Sequence, residues 1–256
     1  MRDMENFLDS LQNKRVGLAL SGGAVRGLAH IGVIKALHEN GIRPAVVAGT
    51  SVGSIIGAAL AAAMDWREIA DMARSIFWPR LLHGKTLERF SAQHLPPSFE
   101  HLETRFAAVA TVVPLNQPHT IASGSLPSAI SASCALRLLR RPVVREGLQL
   151  KDGGFSCVLP THVCRELGAE VVIGSDVWEW SSVMRSLGWS PFEQRWTTRA
   201  YPSHYRFALT QTDIHIHPEI PLTGYVPGAA AIDRMIAVGE RAAYLSLESL
   251  SKTQAA

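Results

Sequence analysis

Cysteine is scarce in this chain: Cys134, Cys157 and Cys164 are the only three in 256 residues. Their number and irregular spacing fit neither a disulfide framework nor a zinc site. The first fifteen residues, MRDMENFLDSLQNKR, have no apolar core and carry Asp3, Glu5 and Asp9, a pattern unlike a secretory signal peptide. The expectation is a cytoplasmic protein with reduced, free thiols. Charge is sparse as well. Lys plus Arg is 25 and Asp plus Glu is 22, together 18% of the chain, against roughly 25% in typical soluble proteins. The net charge of +3 gives no ground for the concentrated basic face of a nucleic-acid binder, so no nucleic-acid partner is expected. The 47% hydrophobic share excludes a disordered chain, because that much apolar surface offsets the entropy of ordering. Lysine is the scarcest cation, 5 against 20 Arg. Guanidinium groups suit planar anions such as carboxylate and phosphate, although base composition of a genome produces the same skew.

Long hydrophobic runs are absent but for one. Ala45 to Met64 reads AVVAGTSVGSIIGAALAAAM, without a charge, and its length alone would suit a membrane span. Small residues dominate it, and Gly49, Thr50, Ser51, Gly53 and Ser54 interrupt it. A short strand, a tight turn and a buried helix explain it better. The same alternation runs along the chain. Val16–Leu20 reads as a buried strand before a Gly-rich turn, and Leu28, Ile31, Val33, Ile34 and Leu37 recur at helical spacing up to Asn40-Gly41. Asp65 and Glu68 have capping-box spacing. Residues 78–104, with Pro79, Pro96 and Pro97, read as a cap or surface insert. Further strands are expected over 106–113, 147–150, 171–173 and 214–217, and helices after Ser125, Pro160 and Pro227. Strands alternating with helices predict an α/β fold with a mostly parallel central sheet covered on both faces. No repeat, low-complexity tract or linker divides it. The expected layout is an N-terminal extension over 1–14, a single catalytic domain over 15–250 and a tail over 251–256.

Three elements carry chemistry. Gly49-Thr-Ser-Val-Gly53 is G-x-S-x-G, a pattern expected by chance in about one of ten chains of this length from average residue frequencies. Its place between a strand and an Ala-rich helix is the setting of a nucleophile elbow, with Ser51 in a strained turn at the carboxyl end of the sheet. The second element, Ser21-Gly22-Gly23-Ala24-Val25-Arg26-Gly27, also joins a strand to a helix. Its spacing matches neither dinucleotide nor P-loop glycine patterns. Beside an elbow, its bare backbone N–H groups suit an oxyanion hole. Arg26 either steadies this loop, attracts an anionic head group, or is a solvated first-turn residue. The third element is Asp152-Gly153-Gly154 after a short strand, which makes Asp152 the candidate base for Ser51.

Together these elements resemble the patatin-like phospholipase family, especially its short bacterial members. The matching segments are Leu20–His30, Gly49–Gly53, Ser125–Ser133, Asp152–Gly154 and Arg165–Ile173, in order over residues 15–250. The resemblance implies a three-layer α/β/α fold and hydrolysis of lipid carboxylic esters. It further implies a Ser51–Asp152 dyad without histidine, an acyl-enzyme, and no metal or cofactor. Gly22, Gly23 and Ala24 are the implied oxyanion hole, with Arg26, Gly27, Gly49, Gly53, Gly153 and Gly154 in support. A dyad is chemically sound, because serine is a weak nucleophile until an adjacent base takes its proton.

The chain departs from the family pattern in four places. Ala24 stands where a third glycine is common, which is tolerable if its φ is negative. Leu136 and Arg137 replace an apolar residue and proline. Val158–Thr161 replaces an Asn-Pro type sequence, and the 78–104 insert is short. Arg137, Arg140, Arg141 and Arg145 are either candidate contacts to a substrate phosphate or carboxylate, or a solvated face. Of the histidines, His215 and His217 read as ordinary strand residues. Trp178 reads as core, while Trp180, Trp189, Trp196, Phe192, Tyr201 and Tyr205 read either as core under a loop or as a lid or peripheral membrane contact. Acyl transfer with the same nucleophile and non-catalytic lipid sensing are the alternatives to hydrolysis. Head group, acyl length and oligomeric state are not encoded in any of these motifs.

Overall fold

A computed structural model describes residues 2–76, 85–136, 141–178, 202–220 and 228–254. Its strands are β1 (Val16–Leu20), β2 (Val46–Thr50), β3 (Arg105–Val113), β4 (Gln117–Ile121), β5 (Val143–Arg145), β6 (Leu148–Asp152), β7 (Val171–Ser175) and β8 (Ile214–Ile216). They form a single sheet in the order β5-β6-β3-β2-β1-β7-β8, with β4 also paired to β3. From β3 through β8 the pairing is parallel. Strands β1, β2 and β7 are buried at every position, as their continuous apolar sequences require of strands covered on both faces. Beyond β3 lies an antiparallel arm of β4, β5 and β6. The sequence did not announce β4 and β5. Strand β4 is polar and contains Pro118, and β5 has three residues, too few for an alternating pattern to register.

Register on β3 determines where the chemistry sits. Val109 pairs with Thr50 of β2, and the next residue, Ala110, pairs with Asp152 of β6. Both Val109 and Ala110 pair with β4 as well. Since a strand residue has only two edges, β2 and β6 must share the edge opposite β4. They run towards one another and meet end to end, with Thr50 and Asp152 on successive rungs.

Helices cover both faces. One face carries α1 (Arg2–Gln12), α2 (Ala29–Glu39), α3 (Val52–Ala61), α4 (Trp66–Ser75), α5 (Thr86–His94) and α6 (Leu126–Ser133). The other carries α7 (Thr161–Glu166) and α8 (Ser203–Thr210). The last helix, α9 (Ala229–Gln254), returns to the first face and packs on α2. The architecture is the three-layer α/β/α fold. The capping box of α4 is present: Asp65 Oδ1 accepts from the N–H groups of Arg67 and Glu68, and Glu68 Oε2 accepts from the N–H of Asp65. The uncharged run Ala45–Met64 divides into β2, a turn and α3. No described helix is long and apolar enough to cross a membrane.

Two boundaries differ from expectation. The N-terminal extension is a helix with an apolar stripe, and Phe7 and Leu11 are buried in the main core. The insert belongs to the helical layer over 86–104. Leu87, Leu95 and Phe99 are buried there, and the Phe99 ring lies 5.8 Å from that of Phe106. Residues 77–84 of the insert lie outside the described residues. If α1 is part of the core, Leu11→Ala should lower unfolding free energy by about 2–5 kcal/mol, as for other buried leucines. Urea denaturation checks this, and a change close to zero would return residues 1–14 to the status of an appendage.

Candidate active site

Ser51 sits between β2 and α3 at φ 53° and ψ −126°. A non-glycine residue in such a conformation carries a strain of about 1–3 kcal/mol and persists only where its surroundings hold it. Here they do. The Ser51 N–H donates to Ser133 Oγ at 2.9 Å, and Ser133 Oγ donates to the Val109 carbonyl at 2.6 Å. The Ser51 carbonyl accepts from Ser54 Oγ at 2.6 Å and from the Ser54 N–H at 2.8 Å. Gly53 is required by close approach, since a Cβ there would lie 2.3 Å from the Leu20 carbonyl oxygen. Gly49 packs directly beneath, against the backbone of Gly53 and Ser54.

Asp152 ends β6 and is 3% exposed. Its Oδ2 accepts from Ser51 Oγ at 2.7 Å, and its Oδ1 accepts from the Gly154 N–H at 2.8 Å. The carboxylate is thus pinned at one oxygen and turned to the serine with the other. Its backbone is fixed too. The Asp152 N–H donates to the Ala135 carbonyl at 2.9 Å, and its carbonyl accepts from Thr111 Oγ1 at 2.8 Å. Gly153 permits the turn, because a Cβ there would lie 2.2 Å from the Val109 carbonyl oxygen.

The glycine loop after β1 runs beside the elbow. A Cβ on Gly22 would lie 3.5 Å from that of Ser51. The structure revises two expectations for this loop. The Gly22 N–H donates to the Val158 carbonyl at 2.9 Å, so it is committed to the loop's own anchoring. The N–H groups of Gly23 and Ala24 have no such backbone acceptor among the described residues. Ala24 has φ +49°, so the condition for tolerating it there, a negative φ, is not met; the chain must turn sharply into the helical turn Ala24–Leu28. An L-residue there is strained by roughly 1 kcal/mol. Gly27 sits against Val52, at the start of α3.

Behind the loop lies a polar layer that the motifs did not reveal. His30 is fully buried, with Nε2 2.9 Å from the Ser21 carbonyl and Nδ1 2.7 Å from Ser175 Oγ. Burial pulls its pKa from 6.5 to about 4, against the opposing effects of the Ser21 bond and Asp176. The neutral imidazole therefore donates from Nε2 and accepts at Nδ1. Asp176, just past β7, is fully buried. Its Oδ2 accepts from the Tyr205 hydroxyl and lies 3.2 Å from His215 Nε2, while Oδ1 accepts from the Trp178 N–H at 3.0 Å. Burial pushes this carboxyl up, but the hydrogen bonds of His215 and Tyr205 and the charges of His215 and His217 hold it below its ordinary value. His217 Nδ1 is 2.8 Å from the Asp176 carbonyl. The two histidines thus reach from the surface to the buried Asp176, rather than being ordinary strand positions. An acidic residue at the carboxyl end of a parallel strand is the signal that marks such a place in a sequence.

Arg26 is 3% exposed and not solvated. Its guanidinium carbon lies 4.7 Å from the centre of the Trp178 ring, and its Nη2 is buried without a hydrogen-bond partner among the described residues. Burial lowers its pKa and Asp176 acts the other way. Trp178 packs against the second core cluster, where Tyr205 is buried. Trp180, Trp189, Phe192, Trp196 and Tyr201 lie outside the described residues, as do Arg137 and Arg140. Arg141 is exposed. Arg145 has a structural task, donating to the carbonyls of Ser123 and Ser125.

A strained serine at a strand–helix turn, a carboxylate oxygen 2.7 Å from its hydroxyl and a glycine loop alongside define the class: an α/β protein with a hydrolase-type elbow. The model of the patatin-like phospholipase family matches residues 18–98, and the chain belongs to this family. It is 30% identical over 197 residues to the patatin-like phospholipase domain-containing protein ZK370.4 of Caenorhabditis elegans, covering 68% of this chain and 14% of that one. It is 32% identical over 196 residues to the lysophospholipase nte1 of Aspergillus fumigatus, covering 68% and 13%. The chain therefore spans about one seventh of these curated relatives. Among solved structures it is similar to VipD from Legionella pneumophila, with a TM-score of 0.57 at 16% identity over 92% of this chain and 67% of that one. It is also similar to the type III effector protein ExoU, with a TM-score of 0.52 at 14% identity over 93% and 53%. These two likenesses concern the fold.

Two outcomes follow from the loop and its support. Ala24→Gly should raise stability by roughly 1 kcal/mol by removing the left-handed strain; a loss on thermal or urea unfolding would contradict the strain. For His30 the folded pKa lies below the unfolded one. Its contribution is complete above about pH 6.5 and is lost as the unfolded chain takes up a proton between about 6.5 and 4. The whole loss amounts to about 3 kcal/mol. The stability gap between wild type and His30→Gln should therefore narrow across that window, and a gap constant from pH 7 to 4.5 would show that His30 is not the responsible group.

Proposed function

We propose that the protein is a serine acyl hydrolase that cleaves lipid carboxylic esters through Ser51 and Asp152. The observation that carries this reading is the 2.7 Å contact from Ser51 Oγ to Asp152 Oδ2, made by a serine held in strain at the carboxyl end of a parallel sheet. The contact lies within the roughly 2.6–3.2 Å reach that proton transfer needs. Ser51 Oγ attacks the ester carbonyl as its proton passes to Asp152 Oδ2. The carbonyl oxygen gains the negative charge and is met by the N–H groups of Gly23 and Ala24 at the start of a helical turn. The tetrahedral centre collapses, the alcohol leaves with the proton from Asp152, and an acyl-Ser51 ester remains. Water then gives a proton to Asp152 and attacks that ester. Ser51 departs, recovers the proton and frees the acid.

The geometry accounts for the roles of the supporting groups. Gly154 holds Oδ1, so the carboxylate presents Oδ2 to the serine. Ser133 anchors the Ser51 backbone rather than its hydroxyl, so it is a positioning residue. The names of the curated relatives favour lipid esters as the substrate class, including lysophospholipids.

A fluorophosphonate probe should label Ser51 in the folded protein, and Ser51→Ala should abolish both labelling and ester hydrolysis. Asp152→Asn keeps the shape but removes the base, and kcat should fall by at least about 10²-fold. Absence of labelling in folded wild type, or full activity in Asp152→Asn, would overturn the mechanism.

A further inference from the structure

Helix α7 lies on β1, β2 and β7, and α6 covers β3, β5 and β6 from the opposite side. On the α7 side the antiparallel arm extends past its cover. Alternation places Thr111 and Val113 of β3, Gln149 and Lys151 of β6 and Val144 of β5 on this one face. Val144 is 71% exposed, Phe155 41% and Leu115 66%. Three of the six large apolar side chains exposed among the described residues stand here. They are joined by Lys151, whose Nζ donates to Asn116 Oδ1 at 2.7 Å and lies 4.6 Å from the centre of the Phe155 ring. Leu115 neighbours Asn116 in the β3–β4 turn.

The patch is apolar with a cationic border. Lys151 lies within it and Arg141 is exposed at the entry to β5. The nearby Glu146 is 3.5 Å from the Arg145 guanidinium, which offsets its charge. Apolar side chains accompanied by two cations match a surface of anionic head groups over acyl chains. The patch also borders the reactive pair. Lys151 precedes Asp152 on β6, with the side chains on opposite faces, and Phe155 follows three residues later.

We infer that Leu115, Val144 and Phe155, with Lys151 and Arg141, form a surface that docks the protein on an anionic lipid bilayer beside its ester-cleaving site. This rests on the proposed lipid-ester activity for its purpose, but not for its test. Insertion of three apolar groups gives the contact and the cations select for anionic lipid, which holds the protein at a bilayer surface.

The experiment is co-sedimentation with phosphatidylcholine vesicles with and without phosphatidylglycerol, alongside hydrolysis of soluble p-nitrophenyl butyrate. Wild type should sediment with the anionic vesicles and less with the neutral ones. The double variant Leu115→Glu/Val144→Glu should bind about tenfold more weakly, through loss of apolar insertion and added repulsion, with soluble-ester hydrolysis unchanged. Should that variant misfold, the milder pair Leu115→Ser/Val144→Thr carries the same expectation with a smaller loss. Wild type that ignores anionic vesicles, equal binding to neutral vesicles, or folded variants that sediment like wild type would overturn the inference. So would a concentration-dependent dimer on gel filtration that the double variant dissolves, since the patch would then join two copies. Vesicle binding without any ester hydrolysis would remove the proposed activity and leave the docking surface standing.

Discussion

Strand β3 has two partners on one edge, and the candidate site depends on this arrangement. From Arg105 to Val109 the edge is filled by β2, and from Ala110 to Val113 by β6. The hydrogen-bond ladder brings the end of one strand to the end of the other with no gap in the register. Ser51 follows Thr50, and Asp152 lies on the adjacent rung, so a separation of 101 residues in sequence becomes a 2.7 Å contact. Backbone geometry sets this meeting before any side chain is considered. The side chains then refine it. Gly53 and Gly153 let main chains touch, Ser133 ties the elbow to Val109, and Gly154 turns the carboxylate.

Much of this was legible in the sequence, because the informative residues are ones whose chemistry is local. A G-x-S-x-G between an apolar run and an Ala-rich segment specifies an elbow wherever the chain goes. An Asp-Gly-Gly turn is common in itself and points to Asp152 only in company with the elbow and the glycine loop. The parallel core was readable from Val16–Leu20, Ala45–Ala48 and Val171–Ile173, whose continuous apolar runs have few other uses. Residues whose roles come from distant partners were not readable. Ser133 and Thr111 look like ordinary hydroxyls in a helix and a strand. His215 and His217 alternate like any strand pair, and only the fold brings Asp176 between them and Tyr205. The positive φ of Ala24 was unreadable for a similar reason: the conformation is set by the path from β1 into the next helical turn, not by the residue that occupies it.

The oxyanion-loop candidate is supported from below by a layer of polar groups with little access to water. His30 links Ser21 to Ser175, and the Val177 N–H donates to Ser21 Oγ at 2.9 Å. Gly23 packs on Val177, and Asp176 next to it holds Trp178, on which Arg26 rests. The loop is therefore fastened to the carboxyl ends of β1 and β7. Gly22 is in turn held by Val158, from the segment that departs from the family pattern. What holds Gly22 is a backbone carbonyl, which any residue at that position supplies, so a departure in side chains there does not remove the anchor.

The meeting of β2 and β6 also has a consequence for the order in which the molecule becomes whole. The elements that flank the serine turn lie within the first 113 residues: β1, the glycine loop, α2, β2, α3 and β3, while Ser133, Cys157 and Val158 anchor them from later in the chain. The carboxylate arrives on a later hairpin, β5–β6, whose Leu150 is buried in the main core. Without that hairpin the Ser51 hydroxyl has no Asp152 carboxylate to take its proton. Long-range closure of this kind is the slow, entropically costly part of folding. On the proposed chemistry, ester cleavage depends on this long-range closure, so a correctly turned serine is not by itself an active one.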